Sequence, residues 1–251
     1  MSAHDEKTVG EDEADRPRDR KRTQRKPLPL WQETIILLVT ALVLAVVVKT
    51  FFVQAFYIPS GSMEPTLMIN DRILVEKVSY WTGDVHRGDV VVFDDPGGWL
   101  DPSQSQQPHN ALQRALEIFG LFPTGGHLVK RVIGVGGDHV RCCDKQGHLQ
   151  VNGVPLKEPY LMDQKATADE HFDVQVPKRH LWVMGDNRGN SADSRAHMGD
   201  PGGGFIPVED VIGRAWLLVW PWDRIESFDG PKTFDNPALD EPAPAAATAT
   251  P

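Results

Sequence analysis

Cysteine is scarce in this chain: 251 residues hold two, Cys142 and Cys143, side by side. A fold stapled by long-range disulfides is thereby excluded, while a vicinal disulfide in an exported domain and a pair of free thiols both stay open. His139 and His148 flank the pair, but their spacing fits no standard zinc pattern, so neither a metal nor any other cofactor is expected. Positive charge is also short, with 26 Lys and Arg against 35 Asp and Glu for a net charge of −9. After Lys26 the deficit sharpens to 18 basic against 28 acidic residues, which argues against a nucleic-acid partner. There is no repeat, no second apolar run of spanning length and no Gly-x-Ser-x-Gly elbow, and none of the nine histidines stands in a recognisable triad motif. Gly134-Val135-Gly136-Gly137 lacks the full glycine fingerprint of a nucleotide site and reads as a turn.

What basic charge there is lies concentrated. Residues 16–26 carry seven Lys and Arg and one acid, Asp19, directly before an apolar run at 34–53 whose single charge is Lys49. The 20 residues of that run match what a helix needs to cross a bilayer. Trp31 at one end and Phe56 with Tyr57 at the other suit the interfaces, and Lys49 can snorkel toward headgroups. The basic run then keeps the N-terminus in the cytoplasm and places the remainder outside. A cleaved signal peptide competes with this reading, because Val53-Gln54-Ala55 is a tolerable cleavage site. The uncleaved anchor is favoured, since the apolar stretch resumes past Lys49 and reaches spanning length.

Four regions follow: a disordered cytoplasmic tail at 1–30, an anchor at 31–56, an extracytoplasmic β domain at 57–229 and a disordered Pro/Ala-rich tail at 230–251. Strands are expected at 71–77, 89–93, 128–135, 139–141, 149–151, 174–176, 180–185 and 211–220, where β-branched and apolar residues cluster between turn signals such as Asn152-Gly153. In the first of these Ile73 and Val75 alternate with Arg72, Leu74 and Glu76. Residues 94–127, rich in Pro, Gly, Gln and Ser, read as an inserted loop with a short helix at 111–119. The expected fold class is mainly β.

Between the anchor and the first strand lies Pro59-Ser60-Gly61-Ser62-Met63-Glu64-Pro65-Thr66-Leu67. The glycine between two hydroxyls permits a tight, exposed backbone of the kind that presents a nucleophile, although a plain linking turn has the same composition. A serine without a histidine partner can be activated by a neutral lysine, and that requires burial, which lowers the amine pKa by several units. Lys130 stands in an apolar strand and shares a face with Leu128 and Val132. From that segment alone a solvated surface strand stays open.

The nine-residue loop, then Gly88-Asp89-Val90-Val91-Val92-Phe93, then Lys130-Arg131-Val132-Ile133-Gly134 with Gly137-Asp138, then Gly185-Asp186-Asn187-Arg188-x-Asn190-Ser191-x-Asp193-Ser194-Arg195 together resemble bacterial type I signal peptidase, the serine–lysine leader peptidase of family S26. The four blocks stand in the family's order behind an N-terminal anchor. The resemblance implies a catalytic domain of coiled antiparallel sheets and a membrane-bound endopeptidase that cleaves signal peptides after Ala-x-Ala. It implies Ser62 as nucleophile and Lys130 as general base, with the Ser62 N–H and the Ser60 hydroxyl as oxyanion hole. Ser191 would orient the lysine amine, Asp193 and Arg195 would form a supporting ion pair, and Phe56, Ile58, Met63, Leu67, Leu128 and Val129 would line the substrate pockets. The implied partners are signal-peptide-bearing pre-proteins and the lipid bilayer, near the secretion translocon in the plasma membrane. A self-cleaving repressor-type Ser/Lys protease would need a DNA-binding domain in place of the anchor. A catalytically inactive, membrane-tethered β adaptor would not need Ser62 and Lys130. Two segments depart from the family pattern, the insertion at 94–127 and residues 197–204.

Overall fold

A computed structural model describes residues 29–78, 80, 84–100, 126–167 and 170–241. The acidic and basic stretches of the N-terminal tail, the helix expected at 111–119 and residues 242–251 lie outside these. Helix α1 runs Leu30–Phe51 and carries Glu33 in its first turn, where a carboxylate suits the positive end of the helix dipole. It is apolar on every side: Leu30, Leu37, Leu38 and Leu44 are all more than 60% exposed. A helix of that kind is at home in lipid rather than water. Its stretch Leu30–Val48 has 19 residues, about 28 Å at the helical rise, enough to cross a hydrocarbon core.

The helix ends earlier than the expected anchor. Residues 53–56, assigned to the anchor by their apolar content, belong to strand β1, Val53–Tyr57, which pairs antiparallel with β2, Arg72–Glu76, from Val53↔Glu76 to Tyr57↔Arg72. Val, Phe and Tyr favour a pleated surface, and the ladder with β2 satisfies main-chain groups that a helix end would leave open. The Lys77 N–H donates to the Phe52 carbonyl (3.1 Å) at one end of the pair, and the Ile58 N–H donates to Asp71 O (2.9 Å) at the other.

The remaining strands are β3 (Val90–Asp94), β4 (His127–Val135), β5 (His139–Cys142), β6 (Gln150–Val151), β7 (Val154–Pro155), β8 (Phe172–Gln175), β9 (His180–Met184), β10 (Ile206–Pro207), β11 (Val211–Trp220) and β12 (Glu226–Ser227). Among the described residues they form an antiparallel sheet in the order β1-β2-β11-β3-β4-β9-β10, with β12 added on β11, and a smaller sheet β7-β6-β5-β8. Strands β3 and β4 are buried on both faces, which explains why β3 reads as an almost unbroken apolar run and why apolar residues flank Lys130 and Arg131 on both sides in β4. On β3, Val90 and Val92 join one core with Ile73, Val75 and Ala215, whereas Val91 and Phe93 join another with Leu128, Val132 and Val183. A third core lies against the small sheet, where Ile133, Trp182 and Met184 meet Val140, Val151 and Phe172. Gly134 sits at an irregularity in the β4–β9 register, and a side chain there would strike Val140 at 2.6 Å.

Residues 230–241, expected as part of a loose tail, are ordered. Short 3-10 turns at Lys232–Asp235 and Pro237–Asp240 lay Phe234 and the fully buried Leu239 into the third core. The Asn152 amide donates to Leu239 O (2.7 Å), and Arg87 bridges Asp240 and Asp138 (2.7 Å each). Two apolar side chains and one ion pair outweigh the loop-like composition around them. Cys142 and Cys143 form a vicinal disulfide, and no described cluster of His, Cys, Asp and Glu could hold a metal. The two departures from the family pattern meet each other: Trp99, at the start of the insertion, stacks on His197 with ring centroids 4.3 Å apart.

Candidate active site

The loop between β1 and β2 is closed at its base, where the Asn70 N–H donates to Ile58 O (2.9 Å). Within it Gly61–Met63 forms a 3-10 turn, and the Leu67 N–H donates to Met63 O (2.9 Å). Met63 and Leu67 point down into the core and hold the turn against it. The loop is therefore less exposed than its sequence suggests: Ser62 keeps only 8% of its surface, while Ser60 remains exposed. The two hydroxyl oxygens are 3.5 Å apart.

Strand β4 delivers Lys130 to this turn. Its side chain shares a face with Leu128 and Val132 and is 3% exposed, with Nζ 2.8 Å from Ser62 Oγ. Among the described residues no carboxylate pairs with the amine. Burial lowers its pKa from 10.5 to about 8; Asp193 and Asp186 oppose that shift from a distance, and Arg195 adds to it. At neutral pH about a tenth of such an amine is unprotonated, against a few parts in ten thousand for a solvated lysine.

Behind the pair runs the segment 185–195, braced by ions. Asp193, fully buried, accepts from Arg195 Nε (2.8 Å) and Nη2 (2.7 Å) and from the Gly185 N–H (2.9 Å), and Arg195 reaches on to Glu170 (2.8 Å). The Arg195 pair and these donors hold the Asp193 pKa low against the opposing effect of burial. Ser191 is beside Gly185, where a side chain would collide with its Oγ and with Ser62 O, at 2.3 and 2.4 Å. Its hydroxyl is buried and bears on Asp193, whose pKa it helps to lower, and it makes no hydrogen bond to the lysine amine, the contact implied by the resemblance. Further site residues escaped the sequence reading. Asp186 accepts a bidentate pair from Arg131 (2.8 and 2.6 Å) and the Thr66 hydroxyl (2.5 Å), and Arg188 pairs with Glu158 (2.5 and 3.2 Å). Asn187, between them, donates its N–H to Ser62 O (3.1 Å) and its amide to Gly61 O (3.0 Å). The one signal that pointed to them was their place inside the Gly185-Asp186-Asn187-Arg188 block.

The six expected pocket residues do not form one set. Ile58, Met63 and Leu67 are interior, Phe56 and Val129 are partly exposed at the edge of the same core, and Leu128 faces the other side of β4. Phe56 also meets the His127 ring edge-on at 5.4 Å. A cleft of about 820 Å³ opens on the Arg131 side, lined by Thr66, Tyr160, Phe228 and Lys232 among others, and neither Ser62 nor Lys130 reaches it.

Residues 31–220 match the family described as "Signal peptidase, peptidase S26". The chain is similar to the signal peptidase I of Mycobacterium tuberculosis, with 44% identity over 234 residues covering 84% of this chain and 77% of that protein. It is also similar to the probable signal peptidase I-2 of Synechocystis, at 38% over 229 residues covering 87% and 91%. A third similar protein is the signal peptidase I U of Bacillus subtilis, at 33% over 202 residues covering 77% and 90%.

Proposed function

The chain belongs to the signal peptidase family, peptidase S26, and on that premise we propose that Ser62 and Lys130 are the catalytic pair with which it cleaves signal peptides from exported pre-proteins. The observation that carries this reading is the buried, unpaired Lys130 amine 2.8 Å from the Ser62 hydroxyl. The neutral amine accepts the hydroxyl proton as Oγ attacks the scissile carbonyl. The oxyanion so formed is met by the Ser62 N–H and, from the exposed side, by the Ser60 hydroxyl. The Lys130 ammonium returns its proton to the leaving amine, giving the free mature chain and an acyl-Ser62. Water, deprotonated by the same amine, then releases the signal peptide as a carboxylate and restores the serine. Asp193 and Arg195 act as a brace that fixes the backbone behind Ser62.

Small residues before the cut fit a site bordered by Phe56 and Val129 over the packed Ile58, Met63 and Leu67, because a rigid apolar wall admits alanine and rejects bulk by overlap. Leu128, on the face of β4 that carries Lys130, lines the site from the side of the amine. Helix α1 is the membrane anchor; the basic run at 16–26 orients it with the N-terminus in the cytoplasm and the β domain outside, near the translocon from which substrates emerge. Tethering enzyme and substrate to one bilayer raises their effective concentration. Hydrolysis of an Ala-x-Ala peptide by the wild type, Ser62→Ala and Lys130→Ala tests the reading. Both variants are expected at background, and turnover surviving in Ser62→Ala would refute the nucleophile.

A further inference from the structure

We propose that Asn187 is the positioning residue that aims the oxyanion-binding N–H of this site, an inference that rests on Ser62 being the nucleophile. The N–H of Ser62 belongs to the same peptide group as the Gly61 carbonyl. In a planar trans peptide these two bonds point in opposite directions, so whatever holds the carbonyl also aims the N–H. Gly61 O is held by the Asn187 amide at 3.0 Å and, less closely, by the Glu64 N–H at 3.2 Å. The next peptide group is held as well, because Ser62 O accepts the Asn187 N–H at 3.1 Å. One residue therefore pins both peptide planes that meet at the Ser62 α-carbon, which leaves the nucleophile's backbone little torsional freedom.

Asn187 can do this because its neighbours are themselves fixed. Asp186 is fully buried on Arg131, and Arg188 is buried on Glu158, so the asparagine is the centre of a tripeptide clamped on both sides. The Asn190 N–H closes the turn on Asn187 O (3.0 Å). The residue type also matters. A donor on Gly61 O draws electron density toward that oxygen and makes the Ser62 N–H a stronger donor where negative charge develops. Aspartate has the same shape but cannot donate, and alanine leaves Gly61 O to Glu64 alone.

Since the oxyanion exists only after attack, loosening its donor should appear in kcat and spare KM. The test uses the full-length protein with an Ala-x-Ala peptide and compares wild type, Asn187→Ala and Asn187→Asp. Expected is a fall in kcat on the order of 10- to 100-fold, less than deleting an oxyanion donor outright. KM should stay within about twofold and Tm should be unchanged, and the ascending limb of the Asn187→Ala pH profile should stay near that of wild type. Affinity for a peptide boronate, whose serine adduct is tetrahedral and anionic, should fall in proportion to kcat. Full kcat in both variants would overturn the inference. So would a loss of Tm in both that accounts for the loss of rate, or recovery of kcat at high pH, which would mean that Asn187 acts through Lys130. Turnover by Ser62→Ala would instead remove the premise, so the two failures are distinguishable.

Discussion

Lys130 and Arg131 are neighbours on one strand, both cationic and both almost wholly buried, yet their surroundings differ completely. Arg131 has a bidentate carboxylate in Asp186, the Gly88 carbonyl at 2.8 Å and the Tyr160 ring at 4.3 Å. Burial alone would lower its pKa, but Asp186 more than offsets that, and the guanidinium stays charged. Lys130, on the opposite face, has one hydroxyl. The fold thus holds a complete arrangement for a buried cation and withholds it from the adjacent residue, and the amine left without a counter-charge is the one whose pKa falls. Structural and chemical roles for a cation are separated here by a single step along the strand.

Exchanging each cation for an isosteric apolar residue should separate the two roles most widely. Lys130→Met should abolish turnover, by about 10³-fold or more, while raising stability, because an uncompensated buried charge is removed. Arg131→Met should do the reverse to the fold, costing about 3–5 kcal/mol by stranding Asp186. Thermal denaturation alongside the peptide assay reads both. A Lys130→Met protein less stable than wild type would mean that the amine is a stabilising element after all.

Smaller effects should appear in the pH–rate profile, whose ascending limb is set by a pKa of about 8. Activity should rise with pH through that value, since the base works unprotonated. Asp193→Asn removes a charge that favours the ammonium while leaving Arg195, so the limb should move to lower pH; Arg195→Met should move it to higher pH. A limb indifferent to both changes would remove the electrostatic link. The same pKa acts on the wild-type fold itself. A lysine whose pKa is depressed in the native state binds fewer protons than the unfolded chain between about pH 8 and 10.5, so unfolding free energy should rise across that window, by up to about 3 kcal/mol. Chemical denaturation of wild type and Lys130→Met at successive pH values should show this contribution as a difference between the two that grows across the window, over the shared background of Lys77 and the buried tyrosines.

Much of this was legible in the sequence. The β-branched runs marked the long strands, and the resemblance of the four blocks to signal peptidase implied Ser62 and Lys130. The bracing ions were not legible, because their partners are far apart along the chain: 55 residues from Arg131 to Asp186, 30 from Glu158 to Arg188 and 120 from Thr66 to Asp186. No local pattern says which acid an arginine will meet. Strand β1 was hidden because its valine and aromatics continue an apolar run that hydropathy cannot divide, although Gln54 breaks it. Strands β10 and β12, two residues each, offer no period to detect. The ordered end of the chain rests on Phe234 and Leu239, two residues in a stretch whose average composition says loop.

Strand β1 has one more consequence. A basic flank, an apolar stretch and Val53-Gln54-Ala55 are the features by which a removable leader is known, and this protein carries all three. A leader is cut as a free extended chain, whereas here each residue from Val53 to Tyr57 already has a partner on the neighbouring strand. The bond after Ala55 is held in the β1–β2 ladder while the sheet stands. What sets this stretch apart from a leader is the fold around it, with the same letters still in place.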